Sequence, residues 1–229
     1  DAELAHLSSV CAAATFGRNH QDVLDETYRK ARKLDCSDFA CHFDAERSGL
    51  VRAACHEILV GKDGSRRVKA ELYKLNVYGP GSFFKPHQDT PRGENMFGSL
   101  VVVFPTAHEG GELALRPRDA EDTTVLDFGA RLSEAKAHSS SIAYAVFFSD
   151  VTHEVYEVKR GYRVTLTYNL YFDDPIEDHV SAVTTLPSSF QSDIPETLIS
   201  QSLTDILSDP TFLPDGGLIG FGLRYQYPV

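Results

Sequence analysis

The chain of 229 residues contains no tryptophan, one methionine and four cysteines, and its 22 basic residues are outnumbered by 33 acidic ones. No apolar run in it approaches the roughly 20 residues that a transmembrane helix needs, so we expect no membrane partner. The cysteines show no C-x-x-C spacing, which argues against a zinc knuckle or a disulfide framework. We therefore predict reduced, mostly buried thiols and a cytoplasmic or nuclear location.

The shortage of basic residues also bears on nucleic-acid binding. With a formal net charge of −11, the surface repels phosphate backbones unless the few bases gather in one groove. The two basic clusters, YRKARK at 28–33 and SRRVK at 65–69, are short. We expect no nucleic-acid partner, and the sequence does not fix an oligomeric state.

The first 65 residues are predicted to be helical. One apolar stripe recurs at three- and four-residue steps and consists of Leu24, Tyr28, Ala31 and Leu34. This spacing predicts a helix over residues 21–34. A second helix is predicted over residues 44–60, and GKDGS at 61–65 is typical of a turn.

From Val68 onward, β-branched and aromatic runs are separated by Gly, Pro and Asp, which is typical of strands. The runs are VKAELYKLNVY, FGSLVVVFP, GELALRP, SIAYAVFF and YRVTLTYNLYF. Near alternation in YKLNVY and YRVTLTYNLY predicts strands with one face on a core and the other on a cavity or water. LVVVF is apolar throughout and should be central.

A further helix is predicted after Pro195, with Ile199, Leu203 and Leu207 on one face. We see no internal repeat or linker. The chain is therefore predicted to be a single domain over 1–229, with a helical part at 1–65, a β core at 66–175 and a C-terminal extension at 176–229.

The segment FFKPHQDTPRGEN places His87 and Asp89 two residues apart. On an extended strand both side chains point to the same side, so both can reach one ion. With a further imidazole they would form the two-His-one-carboxylate face that binds Fe(II) and leaves positions open. Alone, a His-x-Asp pair is weak evidence in a chain with nine histidines.

His153 is the candidate for the third ligand, because it follows an apolar run and precedes a turn. Ten residues later come Arg163 and then Thr165, which share one face of a strand. A guanidinium and a hydroxyl side by side suit the distal carboxylate of a ligand that already chelates the metal. The alternative at this point is an Arg163 paired with a carboxylate of the protein.

Five elements in this order resemble the prolyl 4-hydroxylase-like branch of the Fe(II)/2-oxoglutarate-dependent dioxygenases, and in particular a group of fungal and plant members. They are Tyr78, His87-x-Asp89, EGGE at 109–112, His153-Glu154 and Gly161-x-Arg163-x-Thr165. The likeness is detailed over about residues 68–172. Two departures are Tyr144, where such proteins often carry Trp, and Arg163, where the collagen-type enzymes usually have Lys.

The resemblance implies an α+β, mainly β fold: a double-stranded β-helix (a jelly-roll, cupin-like core) with N-terminal supporting helices and a C-terminal helical segment. It implies catalytic roles for four residues: His87, Asp89, His153 and Arg163. The first three would bind Fe(II). Arg163, with Thr165 and Tyr78, would hold 2-oxoglutarate, and Tyr73 competes for the tyrosine's role. The co-substrates would be 2-oxoglutarate and O2, with ascorbate as reductant where one is needed.

The implied reaction hydroxylates an unactivated C–H bond and releases succinate and CO2. Asp89 favours hydroxylation, because related halogenases lack a carboxylate at that position. By analogy a prolyl residue of a protein or peptide is the favoured substrate, and a small molecule or free amino acid is the alternative. The loop TPRGENMF at 90–97 is predicted to be a substrate lid with Arg92 touching the substrate, and EGGEL at 109–113 a tight turn.

Three other interpretations remain open. A nucleic-acid demethylase would need a basic groove, which the acidic balance disfavours. A cupin-like metal enzyme would work without 2-oxoglutarate, against which Arg163 and Thr165 argue. A non-catalytic metal-binding β-barrel would make the His and Asp residues incidental.

Overall fold

The computed structural model of the chain describes residues 2–18, 21–59, 64, 66–118, 122–135, 141–173, 204–209 and 211–213. Its helices are α1 (Ala2–Val10), α2 (Leu50–Ile58) and α3 (Phe128–Ala135). Its strands are β1 (Ala12–Ala13), β2 (Phe16–Arg18), β3 (Gln21–Val23), β4 (Arg29–Lys30), β5 (Arg32–Asp35), β6 (Val68–Tyr78), β7 (Phe83–His87), β8 (Met96–Val103), β9 (His108–Gly110), β10 (Leu113–Arg116), β11 (Thr124–Leu126), β12 (Ala143–Phe148), β13 (Thr152–Val155), β14 (Val158–Gly161) and β15 (Arg163–Phe172).

Two antiparallel sheets make up the body of the fold. The larger sheet has the order β1-β5-β6-β15-β8-β12 and the smaller one β11-β10-β13-β7-β4. From β6 to β15, successive strands alternate between the two sheets, apart from the hairpin β10–β11 and the small ribbon β14–β9. This alternation is that of a jelly-roll. The predicted double-stranded β-helix is therefore confirmed.

The apolar core lies on the faces of the larger sheet. Leu100, Val102 and Val103 of β8 are fully buried, as the apolar run LVVVF predicted. β8 lies between β15 and β12, so it is an interior strand next to an edge strand. Because β8 is covered on both faces, it can be apolar throughout, whereas β6 and β15 carry polar residues on the face that lines the cavity.

The predicted helix over residues 21–34 is wrong. This segment contains β3, a turn, β4 and β5, in which β4 pairs with β7 and β5 pairs with β6. The Asp25 carboxylate accepts hydrogen bonds from the backbone N–H and hydroxyl of Thr27, at 2.9 and 2.6 Å, which favours a turn over a helix. Leu24, counted in the apolar stripe, is 59% exposed. Pairing with two sheets overrides the local periodicity.

The other sequence predictions for the flanks are corrected in part. The second helix is shorter than predicted, because α2 begins at Leu50 after a turn and ends at Ile58. The part at 1–65 is therefore mixed, with two helices and five short strands in its described residues. The predicted C-terminal helix lies outside the described residues, except for a helical turn at 204–207.

The thiols are free, as predicted, but not mostly buried. Cys11 and Cys55 are buried, whereas Cys36 and Cys41 are exposed on the N-terminal segment. Burial raises the pKa of Cys55 to about 12, so this thiol is inert at neutral pH. Within the described part of the chain, no helix has the length and apolarity that crossing a membrane requires.

Candidate active site

A cavity of about 550 Å³ opens between the two main sheets. Its walls are the inner faces of β6, β7, β13 and β15, together with the N-terminal segment and the loop that follows β7. The cavity holds all eight residues predicted from the sequence to form the site: Tyr73, Tyr78, His87, Asp89, Arg92, His153, Arg163 and Thr165. The fold therefore brings these residues together although they span more than ninety positions.

His87, Asp89 and His153 form the one cluster in the described residues that could hold a metal ion. Their candidate ligand atoms all lie within 4.8 Å of one another, and Nε2 of His153 is 3.7 Å from Oδ1 of Asp89. His87 ends β7 and pairs with His153 on β13, so strand register sets the two imidazoles side by side. Two imidazoles and one carboxylate form the facial donor set that suits Fe(II).

Backbone carbonyls fix the tautomers of both histidines. Nδ1 of His87 lies 2.8 Å from the Lys85 carbonyl oxygen, and Nδ1 of His153 lies 3.0 Å from that of Val151. Because a carbonyl oxygen can only accept, each Nδ1 carries the proton and each Nε2 keeps a lone pair for a metal. The Phe84 ring stacks on His87 at 3.4 Å between centroids and holds that imidazole in place.

The pKa values of His87 and Asp89 also suit the binding of a metal ion. Burial, with the neighbouring His153 imidazole, lowers the pKa of His87 to about 3, so this imidazole is neutral at physiological pH. Burial tends to raise the pKa of Asp89, but the His153 imidazole and the hydroxyl of Ser99 outweigh it and the pKa is lowered. The Ser99 hydroxyl donates to Oδ2 of Asp89 at 2.5 Å, which leaves Oδ1 towards the histidines. The cluster thus offers a neutral imidazole at His87 and an anion at Asp89.

Arg163 is the most deeply buried cation of the site, with 1% of its surface exposed. Its Nε and Nη2 have no hydrogen-bond partner among the described residues, and no carboxylate is among the charged groups that shift its pKa. Burial lowers that pKa from its ordinary value of 12.5, but a guanidinium remains charged in a protein. A pairing of Arg163 with a carboxylate of the protein is therefore ruled out within the described part of the chain. The site instead offers a guanidinium prepared for an external anion.

Arg163 begins a ladder of polar side chains across β15 and β6. In the strand register Arg163 faces Tyr78, Thr165 faces Asn76 and Thr167 faces Lys74. Tyr78 lies under the Arg163 guanidinium at 5.4 Å between that group and the ring centroid. Alternation along both strands turns all six side chains of this ladder into the cavity. The strand register thus places Tyr78 opposite Arg163, and strand alternation places Thr165 beside Arg163 on the same face, as the sequence predicted.

A β-bulge follows this ladder and explains the position of Tyr73. Thr167 pairs with Lys74 while Tyr168 pairs with Leu72, which leaves Tyr73 without a partner on β15. A bulge lets two successive residues point to one side, and both Tyr73 and Lys74 line the cavity. Tyr73 accordingly lies at the Lys74 end of the ladder, four rows of the strand away from Arg163, whereas Tyr78 is opposite Arg163.

Arg92 closes one side of the cavity mouth. Its Nη2 donates to the Tyr73 hydroxyl at 2.6 Å and lies 3.7 Å from Oδ1 of Asp22. The loop after Asp89 is thereby connected to β6 and to β3. These contacts place the predicted substrate-contact residue at the cavity wall.

The turn EGGEL is structural, as predicted. Gly110 and Gly111 have positive φ angles of 74° and 73°. A Cβ on Gly111 would lie 2.7 Å from Val158 and 3.1 Å from Cδ of Arg163. The turn therefore needs glycine to pack against the stem of Arg163.

Sequence reasoning missed several residues of the cavity. Arg29, Lys74 and Asn76 line it, and Ser99 orients Asp89. Lys74 and Asn76 had a signal, since they alternate with apolar residues on the strand that ends in Tyr78. Arg29 had none, because its segment was predicted to be a helix.

Comparison with known proteins gives an independent result. Residues 73–171 match the family described as the 2OG-Fe(II) oxygenase superfamily, where 2OG is 2-oxoglutarate. This stretch contains the five motif elements from Tyr78 to Thr165. No curated protein matches the chain.

Solved structures with a similar arrangement include a Pseudomonas putida prolyl-4-hydroxylase, with a TM-score of 0.47, 19% identity and coverage of 75% of this chain and 83% of that one. A prolyl hydroxylase from Trichoplax adhaerens, in complex with a hypoxia inducible factor oxygen degradation domain peptide fragment, has a TM-score of 0.48, 18% identity and coverage of 75% and 76%. A 2OG-Fe(II) oxygenase family protein from Burkholderia pseudomallei has a TM-score of 0.42, 14% identity and coverage of 74% and 78%.

Proposed function

We propose that this chain, whose residues 73–171 belong to the 2OG-Fe(II) oxygenase superfamily, uses His87, Asp89 and His153 to bind Fe(II) and Arg163 to bind 2-oxoglutarate. The observation that carries the proposal is the buried guanidinium of Arg163. Its two unpartnered N–H groups share a cavity with the two-His-one-carboxylate cluster. The enzyme is accordingly a 2-oxoglutarate-dependent Fe(II) dioxygenase.

The residues present fit both groups. The cluster offers the Nε2 atoms of two histidines and a carboxylate oxygen, which are donors that Fe(II) accepts. The charge and the free N–H groups of Arg163 match a carboxylate, and the Thr165 hydroxyl lies beside it on β15. Tyr78 provides the aromatic wall and a phenol at the same end.

With iron and 2-oxoglutarate bound, the cofactor pair supplies the oxidation of a C–H bond by O2 with release of succinate and CO2. The protein's own residues hold the reactants in position and exclude water. Arg163 and Thr165 would hold the distal carboxylate of 2-oxoglutarate, and His87, Asp89 and His153 would hold the metal. Phe147, Leu113 and Val155 line the cavity near the cluster and keep it apolar. Asp89 retains a carboxylate at the metal, which supports hydroxylation over halogenation.

A prolyl residue of a peptide is the first substrate that we propose to test, since the order of motifs from Tyr78 to Thr165 resembles the prolyl 4-hydroxylase branch. Fold and cofactor do not fix the substrate. A free amino acid or other small molecule is the second candidate, and one observation favours it: Lys74, a cation on the cavity wall, is 5% exposed and lies too deep for a substrate that only rests on the rim.

The proposal is tested by anaerobic titration of the metal-free protein with Fe(II) and then 2-oxoglutarate. Chelation of Fe(II) by 2-oxoglutarate gives a visible charge-transfer absorption, which we expect to appear and to saturate. Addition of O2 with peptide and metabolite pools should then yield succinate and a product heavier by one oxygen atom. Unchanged Fe(II) binding by a His87→Ala, Asp89→Ala double variant would overturn the proposed metal site.

A further inference from the structure

The cavity carries more positive charge than iron and 2-oxoglutarate require. Arg163 is at one end of the β6–β15 ladder, and two further cations, Arg29 and Lys74, line the cavity as well. Lys74, opposite Thr167, is in the third row of the ladder, of which the Arg163–Tyr78 pair is the first. The Arg29 charge contributes to lowering the pKa of Asp89, but Asp89 is a candidate metal ligand and forms no ion pair with either cation among the described residues.

Lys74 is a mostly buried residue whose ammonium has no hydrogen-bonded or ion-paired partner among the described residues. It is 5% exposed, and within the described part of the chain it forms neither a hydrogen bond nor an ion pair. The ammonium lies 4.5 Å from the centroid of the neighbouring Tyr73 ring. Burial first, and then the positive charges of Lys33 and Arg29, lower the pKa of Lys74 to about 8. A charge in such a place is costly unless a ligand compensates it.

Arg29 is fixed in place and still has a free donor. Its Nη1 donates to the Thr15 carbonyl oxygen at 2.6 Å and its Nη2 to Oδ1 of Asn76 at 2.8 Å. The guanidinium lies 4.4 Å above the Phe84 ring centroid. Nε is buried and has no hydrogen-bond partner among the described residues. The side chain is therefore preorganised, with one N–H unused.

The acidic residues nearby are engaged elsewhere. Asp25 accepts two hydrogen bonds from Thr27, Asp22 lies 3.7 Å from Arg92, and Asp35 pairs with Lys33. Of these three carboxylates only Asp25 lines the cavity. Asp35, which is opposite Lys74 in the β5–β6 register, and Asp22 raise the pKa of Lys74, but they do not outweigh burial and the two cations. Within the described part of the chain, no carboxylate forms an ion pair with Lys74.

We propose that the substrate itself carries a carboxylate, which Lys74 binds with Nε of Arg29 as a second donor. This inference rests on the proposed function, because 2-oxoglutarate is taken to occupy Arg163. Two oxygens of one carboxylate can use the two cations, and the rest of the molecule then extends towards the metal cluster. The low exposure of Lys74 favours a small acid, and an acidic side chain of a peptide offers the same chemistry.

The test compares matched acids and amides at a saturated co-substrate site. The protein is loaded anaerobically with Fe(II) and excess 2-oxoglutarate, and this binding is measured first. It is then titrated calorimetrically with a pool of N-acetyl amino acids and with the same pool as primary amides. We expect the acids to bind at least about tenfold more tightly, as one charge-assisted hydrogen bond supports. Short peptides with and without one glutamate form a separate arm that identifies a peptide source.

Three variants locate the effect. Lys74→Gln should reduce the preference for acids to less than about twofold, and Lys74→Arg should retain it. Lys69→Gln removes the same charge from an exposed position of the same strand, where the side chain is 58% exposed, and should leave the preference intact.

The outcomes separate the two proposals. If the parent chain binds 2-oxoglutarate but shows no preference for acids, in either the small-molecule or the peptide arm, the carboxylate proposal is wrong and the proposed function stands. A preference that survives Lys74→Gln also overturns it. If 2-oxoglutarate does not bind at all, both proposals fall.

Discussion

Arg163 and Lys74 are two cations on neighbouring strands of one sheet, both buried, both facing one cavity and both without an anionic partner in the described residues. Their surroundings differ. Arg163 is enclosed by Tyr78 and by the stem contacts of Gly111, whereas Lys74 is close enough to Arg29 and Lys33 to be influenced by their charges.

The difference bears on what each cation can bind. A guanidinium stays charged in any environment of a protein, so Arg163 is a permanent site for a carboxylate. An ammonium responds to its neighbours, and Lys74 is a site whose charge depends on what occupies the cavity. Under the proposed function, the Arg163 end would hold 2-oxoglutarate at any pH, and the Lys74 end would hold an anion only while its ammonium is charged.

The proposed function places a metal at His87, Asp89 and His153 in the same cavity, and the largest expected effect is that of Asp89→Ala. The variant loses the only carboxylate of the cluster, so Fe(II) binding and succinate formation should fall below detection. Calorimetric Fe(II) titration and succinate assay measure this. Asp173→Ala, at an exposed ion pair with Arg67, is the control and should behave as the parent chain. Normal turnover by Asp89→Ala would mean that the metal lies elsewhere.

The second test removes the permanent cation. Arg163→Met should weaken 2-oxoglutarate binding by about 100-fold or more, since each hydrogen bond to a charged group contributes roughly 1.5–3 kcal/mol. The dissociation constant is read from the charge-transfer absorption. Arg160→Met, three residues earlier with a side chain 78% exposed, is the matched control. An equal loss in both variants would contradict a specific role for Arg163.

The third test concerns the support of the metal ligand. Ser99→Ala deletes the hydroxyl that donates to Asp89 at 2.5 Å. Loss of such a supporting contact typically lowers metal affinity by roughly 10- to 100-fold, and we expect a change in that range for Fe(II). Ser48→Ala, outside the cavity, should change nothing. An unaltered affinity in Ser99→Ala would show that Asp89 is oriented without its hydroxyl partner.

The smallest expected effect concerns stability at the Lys74 end. The pKa of Lys74 is about 8 in the folded chain against an ordinary value of 10.5, so the unfolded chain binds more protons between these pH values. The stability of the parent chain should therefore rise with pH across that window. Below pH 8 the free-energy penalty of burying the charged ammonium of Lys74 is fully present. Lys74→Met should therefore be more stable than the parent chain by about 1–2 kcal/mol.

Denaturant unfolding at pH 7 and at pH 10 measures this difference, which should shrink at the higher pH. Lys69→Met is the control and should follow the parent chain at both values, because its side chain is exposed. If the difference in free energy of unfolding between Lys74→Met and the parent chain does not depend on pH, the charge of Lys74 is compensated in the folded state.

Much of the site could be predicted because its chemistry depends on short spacings. His87 and Asp89 are two residues apart, and Arg163 and Thr165 share a strand face, so alternation alone sets each pair together. Strand types were readable from β-branched runs, and the jelly-roll followed from the resemblance. The pairing of His153 with His87 needed that resemblance, since no local pattern relates residues 66 positions apart.

The N-terminal segment could not be predicted for a physical reason. Residues 21–34 have a helical period, yet β4 and β5 are made by hydrogen bonds to β7 and β6, whose paired residues lie 39 to 55 positions later in the chain. Long-range pairing of this kind is invisible to a local pattern. For this reason Arg29 was not predicted to be a site residue. The bulge that turns Tyr73 and Lys74 to one side was not predicted either, because it depends on the pairing of β6 with β15.

The hydrogen bonds of Arg29 have a consequence for how the cavity wall is built. They join Thr15 of the N-terminal segment to Asn76 of the large sheet, and both residues line the cavity. The metal cluster, Arg163 and Asn76 lie inside the family-matched stretch 73–171, while Arg29 and Thr15 lie outside it. The cavity wall is thus built jointly by the N-terminal segment and the family-matched stretch, and a substitution at Thr15 or Arg29 would alter the cavity without touching the metal cluster.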